Sequence, residues 1–228
     1  MRLNKIGLIS KKEFKSYITS PATYVIIGIF FVLSGFMFVG FLDYFDEECK
    51  KVAQQAVTLK LQALDVNVFV LQSHFKNIET LSLVFFPILT MKLFSEERKN
   101  KTLELLMTSP ISSLEIVLGK FFSMYALWFF VLLFLLIYPF IIMHLPAVTV
   151  DWLTFLSGML GVFLYGLLGI SIGMIASVLT ENNFISAIIA FATMTLLYYV
   201  FVLGIYADSA FGEFFYIIST YSHFDAFI

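Results

Sequence analysis

Four stretches of this chain carry no Asp, Glu, Lys or Arg: Ala22–Leu42, Phe121–Met143, Trp152–Thr180 and Asn182–Ala207. Each reaches the ~20 residues that a helix needs to cross ~30 Å of hydrocarbon. Only 13% of the residues are charged, about half the ~25% that a water-facing surface demands. Backbone inside a bilayer must satisfy its own hydrogen bonds, so these stretches are read as helices. The fold class expected is an all-α polytopic transmembrane helix bundle.

Charge order sets a fifth crossing. All 14 Lys and Arg residues lie at or before Lys120. One group (Arg2, Lys5, Lys11, Lys12, Lys15) precedes the first span, and another (Lys92, Arg98, Lys99, Lys101, Lys120) surrounds the loop before Phe121. The positive-inside rule places both groups on the cytoplasmic side, so two crossings separate them. TLSLVFFPILTM, between Glu79 and Lys92, is then a span, with Lys92 snorkelling and Glu79 at the opposite interface or inside the bundle.

The organisation expected is a cytoplasmic amphipathic helix over 1–20 and a transmembrane domain over 21–228, with spans at 22–42, 79–94, 119–143, 152–180 and 183–207. In the first segment, basic residues alternate with Leu3, Ile6, Ile9, Phe14, Tyr17 and Ile18, the pattern of a helix lying on an anionic leaflet. The external segment 43–78 reads as a solvated spacer helix, with Val52, Ala56, Leu59, Ala63, Val66 and Val70 three or four apart. The loop 95–118 is cytoplasmic. In the external piece 209–228, Phe211, Phe214, Phe215 and Ile218 share a helical face, which suits the outer interface or a dip into it.

Within the cytoplasmic loop, Thr102 is placed to cap a short helix, Leu103, Leu106 and Met107 share a face, and Pro110 stops it. Apolar residues exposed on a short helix call for a partner. Glu96, Glu97, Arg98, Lys99 and Lys101 are able to pair with one another. In the fourth span, Ser157, Gly161, Gly169, Gly173 and Ser177 recur at multiples of four, a surface that lets helices approach closely within one subunit or between two.

The run EERKNKTLELLMTSPISSLEIVLGK, together with the N-terminal KKEFKSYITSPATYVIIGIFFVLSG, resembles the ABC-2 type transporter permeases, most of all their gliding-motility-associated subgroup. The resemblance implies that the loop holds a coupling helix that docks on an ATPase subunit, carried by Glu97, Thr102, Leu103, Glu104, Leu105, Leu106, Ser109 and Pro110. It implies two ATPase copies, which bind ATP and Mg²⁺, and a second permease copy or a related permease. It also implies a bacterial cytoplasmic (inner) membrane, six spans and a re-entrant piece before the sixth, which would follow Ile228. No cofactor is expected in this chain and no nucleic-acid partner. The chain has no GxxxxGK[ST] phosphate loop, since Gly119–Lys120 is followed by Phe121. His74, His144 and His223 lack metal-ligand spacing. A non-transporting membrane anchor or assembly factor is the second reading, and an intramembrane enzyme ranks below both.

Overall fold

The computed structural model describes residues 2–54, 65–107, 111–145, 149–206 and 209–228. Among them, five helical segments are long and apolar enough to cross a membrane: Pro21–Gln54, Asn67–Lys99, Ser113–Met143, Trp152–Leu179 and Asn183–Val200. Helix α1 (Arg2–Thr19) leads into α2 (Pro21–Gln54) through Ser20. Pro21 suits the first position of α2, where its missing N–H would have no helical partner.

The second crossing starts much earlier than residue 79. A π-helical segment, Asn67–Gln72, runs directly into α3 (Ser73–Thr90). Two-thirds of its apolar window (67%) is buried inside the bundle, against 17–50% for the other four. This is the central helix, so its low hydropathy has a physical cause. His74, Asn77 and Glu79 interrupt the apolar run because they face protein rather than lipid. Val66 and Val70 are likewise in the core, not on a solvated spacer; Ala56, Leu59 and Ala63 lie outside the described residues. Helix α2 continues past Leu42 to Gln54, where Lys50–Asp46 and Lys51–Glu48 pair at 2.5 and 2.7 Å.

After α3 come the short helices α4 (Ser95–Lys99) and α5 (Thr102–Met107), then α6 (Ser113–Leu135), which opens on a capping box between Ser112 and Glu115. Helix α7 (Ile137–Met143) extends α6. Asp151 caps α8 (Trp152–Leu179), accepting from the Leu153 N–H at 3.0 Å and the Thr154 hydroxyl at 2.5 Å. These hydrogen bonds hold the Asp151 carboxyl below its ordinary range. Helix α9 (Asn183–Tyr206) returns, followed by α10 (Ser209–Ile218) and α11 (Thr220–Asp225).

The α3–α8 contact sets the packing. Phe75 lies against Gly158, Phe86 against Gly169 and Thr90 against Gly173, a constant sequence offset, so the two helices run parallel and in step. A Cβ on Gly158, Gly169 or Gly173 would stand under 3.0 Å from these side chains. Across the bundle, Trp128 of α6 packs on Phe30, Phe85 and Phe86, and its indole N–H donates to the Val162 carbonyl at 3.3 Å. His74 sits edge-on to Phe38 and Tyr138, and Tyr138 hydrogen-bonds Ser34 at 3.2 Å.

The C-terminal pair folds back into the bundle. Helix α10 packs along α9, and Ser219 donates to the Tyr198 carbonyl at 3.3 Å. Phe224 and Phe227 reach Gly161, near the middle of α8, and Lys76 pairs with Asp225 at 2.6 Å. Phe214 and Ile218 stay exposed; the Phe211 side chain lies outside the described residues.

Gly169→Leu forces a side chain into the space held by Phe86, and overpacking of this kind costs about 1–3 kcal/mol or more. Nothing stands within 4 Å of a Cβ on Gly28. Thermal unfolding in detergent is therefore expected to show a lowered midpoint for Gly169→Leu and an unchanged one for Gly28→Leu.

Candidate functional site

The loop between α3 and α6 is bound to the bundle at its root. The Ser177 hydroxyl accepts from the Phe94 N–H at 2.8 Å and the Ser95 N–H at 3.0 Å, satisfying donors that a helix start leaves open. The Ser95 hydroxyl donates to Asn183 Oδ1 at 2.5 Å. Arg98 donates to the Val178 carbonyl and lies 3.9 Å from Glu181. Helix α4 is thereby tied to the end of α8 and the start of α9.

On its other side α4 meets a buried charge. Lys120, 3% exposed, donates to the Leu93 carbonyl at 2.7 Å and to Glu97 Oε1 at 2.8 Å. Glu13 Oε2 of α1 stands 3.7 Å away, and the Phe94 ring centroid 5.1 Å. One ammonium thus joins α1, α4 and α6. Removing one member of a buried pair strands the other in low dielectric, so the cluster is sensitive to the loss of any one member. At the residue preceding Lys120, a Cβ on Gly119 would clash with Ile9 of α1. That close approach lets α1 lie flat on α6. Burial, reinforced by Glu13 and Glu97, pushes the nearby Tyr17 phenol above its ordinary range.

The candidate coupling residues divide along this root. Glu97 pairs with Lys120, and Arg98 faces Glu181; the expected pairing of the loop charges with one another does not occur among the described salt bridges. Those partners were available at shorter sequence distance, but Lys120 and Glu181 sit on the elements that α4 packs against. Thr102 is the first residue of α5 rather than its cap, and its hydroxyl donates to the Glu97 carbonyl at 3.3 Å. Lys101, just before it, has a positive φ of 55° and turns the chain between the two short helices. Leu103 is partly buried against the bundle's own core, while Glu104 is exposed. Leu105, Leu106 and Met107 belong to α5, with side chains outside the described residues; Ser109 and Pro110 lie outside them altogether.

Ser177 and Lys120 do more than their sequence pattern implies. Ser177 continues the small-residue stripe, fully buried, and its hydroxyl also caps α4 and donates to the Met91 carbonyl at 3.3 Å. Lys120 read as one of the basic residues around the loop. A lysine at the edge of an apolar run ordinarily snorkels to water, and nothing in the local sequence distinguishes one held by half-buried carboxylates.

Glu79 is 1% exposed, near the middle of the central helical run, and its carboxylate has no hydrogen-bond partner among the described residues. No group of three or more His, Cys, Asp or Glu residues able to hold a metal occurs among the described residues. The chain carries no catalytic motif.

No curated protein and no solved structure matches the chain. A family model described as "ABC-2 family transporter protein" matches residues 8–216, from α1 through all five crossings into α10. A bundle of five crossings, an N-terminal helix lying on it and a structured loop between the second and third crossings belong together over that match, and the chain is a member of the ABC-2 family of transporter proteins.

Proposed function

We propose that this chain is the membrane-spanning permease subunit of an ATP-binding-cassette exporter. Two copies, or one copy with a related permease, are driven by a pair of separate ATPase subunits that bind ATP and Mg²⁺. The observation that carries the reading is the root of the loop: Ser177, Asn183, Lys120 and Glu13 tie α4 to four other helices. A segment that must transmit motion needs few soft joints. Displacement of α5 by a closing ATPase would pass through Thr102 and Glu97 into α4, and from there to α1, α6, α8 and α9 together. Family membership and the absence of a phosphate loop support a hydrolysing partner in trans. The likeness of the N-terminal segment and loop supports the gliding-motility-associated subgroup.

In this reading α5 is the coupling helix. Glu97 and Thr102 tie it to the bundle, and Leu103, Glu104, Leu105, Leu106, Met107, Ser109 and Pro110 are the remaining residues assigned to ATPase coupling. A carboxylate placed in an apolar groove costs several kcal/mol unless it finds a partner. Leu106→Asp is expected to leave membrane abundance near normal and abolish copurification of the ATPase, whereas Leu106→Met, nearly matched in volume, retains it. Pull-down in detergent measures both; retention of the ATPase by the Asp variant at wild-type level would instead make α5 a helix that only lies on the membrane.

The charge segregation supports a cytoplasmic side for α1 and the loop and an outer side for the end of α2, and the family resemblance supports a bacterial inner membrane. Cys49, near that end and partly exposed, and a cysteine at exposed Lys99 in a Cys49→Ser background are expected to react with a membrane-impermeant maleimide from opposite sides. Labelling of both in intact cells would refute the orientation.

A further inference from the structure

Two cavities meet at α1. The first, about 460 Å³, is polar: Glu13 and Tyr17 line it from α1, with Lys92, Glu96, Glu97 and Lys120 from the loop side. The second, about 410 Å³, is apolar, walled by Phe14 and Ile18 of α1, Ile27 and Phe31 of α2, and Leu127 and Val131 of α6. Tyr17 and Thr23 line both. Each volume falls in the ~300–1,000 Å³ range of ligand sites. Tyr24 and Phe130 also line the apolar cavity and are more than half exposed, so it opens on the outer, lipid-facing surface of the bundle.

The charges of the polar cavity are not equivalent. Lys120 is committed to Leu93, Glu97 and Glu13. Lys92, in the turn before α4, and Glu96, in its first turn, are exposed, and their side chains have no hydrogen bond or ion pair among the described residues. What remains for a ligand is one open cation beside one open anion. With three carboxylates against two ammoniums, the lining disfavours a head group of net negative charge. A carboxylate also accepts from an N–H donor, which a primary ammonium has and a quaternary one lacks.

We propose that the two adjoining cavities together bind one zwitterionic aminophospholipid of the phosphatidylethanolamine class, drawn from the leaflet adjoining α1. An acyl chain occupies the groove between α2 and α6. The head group passes Tyr17 and Thr23 into the polar cavity, with its phosphate toward Lys92 and its ammonium toward Glu96. The lipid so placed lies against Glu97 and Lys120, and lateral contact with α1, α2 and α4 makes it part of the loop's seat. The inference rests on the membrane-spanning bundle and is independent of the ATPase reading.

The test uses the full chain, delipidated in detergent and offered equal amounts of dioleoyl phosphatidylethanolamine and dioleoyl phosphatidylglycerol, with native mass spectrometry counting bound lipid. Wild type is expected to retain one phosphatidylethanolamine per chain, preferred about tenfold, as loss of a single charge-assisted contact would predict. Ile27→Trp fills the groove and is expected to abolish retention. Glu96→Gln, at an exposed position where folding is not at risk, is expected to bring the two lipids close to parity while binding persists. Equal retention of both lipids by wild type would overturn the proposal, as would an unchanged preference in Glu96→Gln. Wild-type retention by a folded Ile27→Trp variant would do the same; should that variant not fold, the Glu96→Gln result decides.

Discussion

An ammonium shut away from water has to carry its acceptors with it, and in this protein that requirement falls on Lys120. With 4% of its side chain exposed, against 21% for Glu97 and 18% for Glu13, it is the most deeply placed member of the cluster. Deleting one partner of a buried ion pair costs roughly 3–5 kcal/mol. The partial exposure of both carboxylates here puts the expected cost toward the lower end. The Leu93 carbonyl and both carboxylates converge on that one ammonium, so α1, α4 and α6 share a single anchor. The hydroxyl of Ser177 does for the opposite side of α4 what Lys120 does for this one, at lower energy and with two backbone donors as its partners.

The rest of the bundle gives this root something rigid to act on. Helix α3 is surrounded by α2, α8 and α9 and touched by Trp128 of α6, and α4 follows it after a single turn. The glycines of α8 let the aromatic rings of α3 sink to backbone contact, so the two helices cannot slide without lifting Phe75, Phe86 and Thr90 from their seats together. Motion entering at α4 therefore meets a core that moves as a body. The α10–α11 pair, anchored at Tyr198, Gly161 and Lys76, closes the opposite half of the same core.

How much of this was legible in the sequence depended on what each residue faces. Four crossings were plain because lipid-facing helices tolerate almost no charge, and the charge asymmetry forced a fifth. The start of that fifth crossing was not legible: hydropathy measures fitness for lipid, and α3 faces protein, so His74, Lys76, Asn77 and Glu79 concealed a helix that begins at Asn67. The amphipathic pattern of residues 1–20 identified α1, yet the close approach at Gly119 that seats it on α6 is a three-dimensional fact with no periodic signal. The loop's composition marked its short helices and their charges. It did not reveal that Leu103 packs partly against the core or that Glu97 belongs to Lys120, because that pair joins residues far apart in the sequence.

Lys120 binds the loop and α1 into one rigid seat. Spin labels on cysteines at exposed Lys12 of α1 and exposed Lys99 of α4, in a Cys49→Ser background reconstituted in lipid, report the distance between these elements by pulsed electron resonance. The account predicts a single narrow distance distribution with Lys120 present and a broadened one in Lys120→Met, in protein that remains folded by thermal unfolding. A distribution already broad with Lys120 in place, or one equally narrow in folded Lys120→Met, would contradict it.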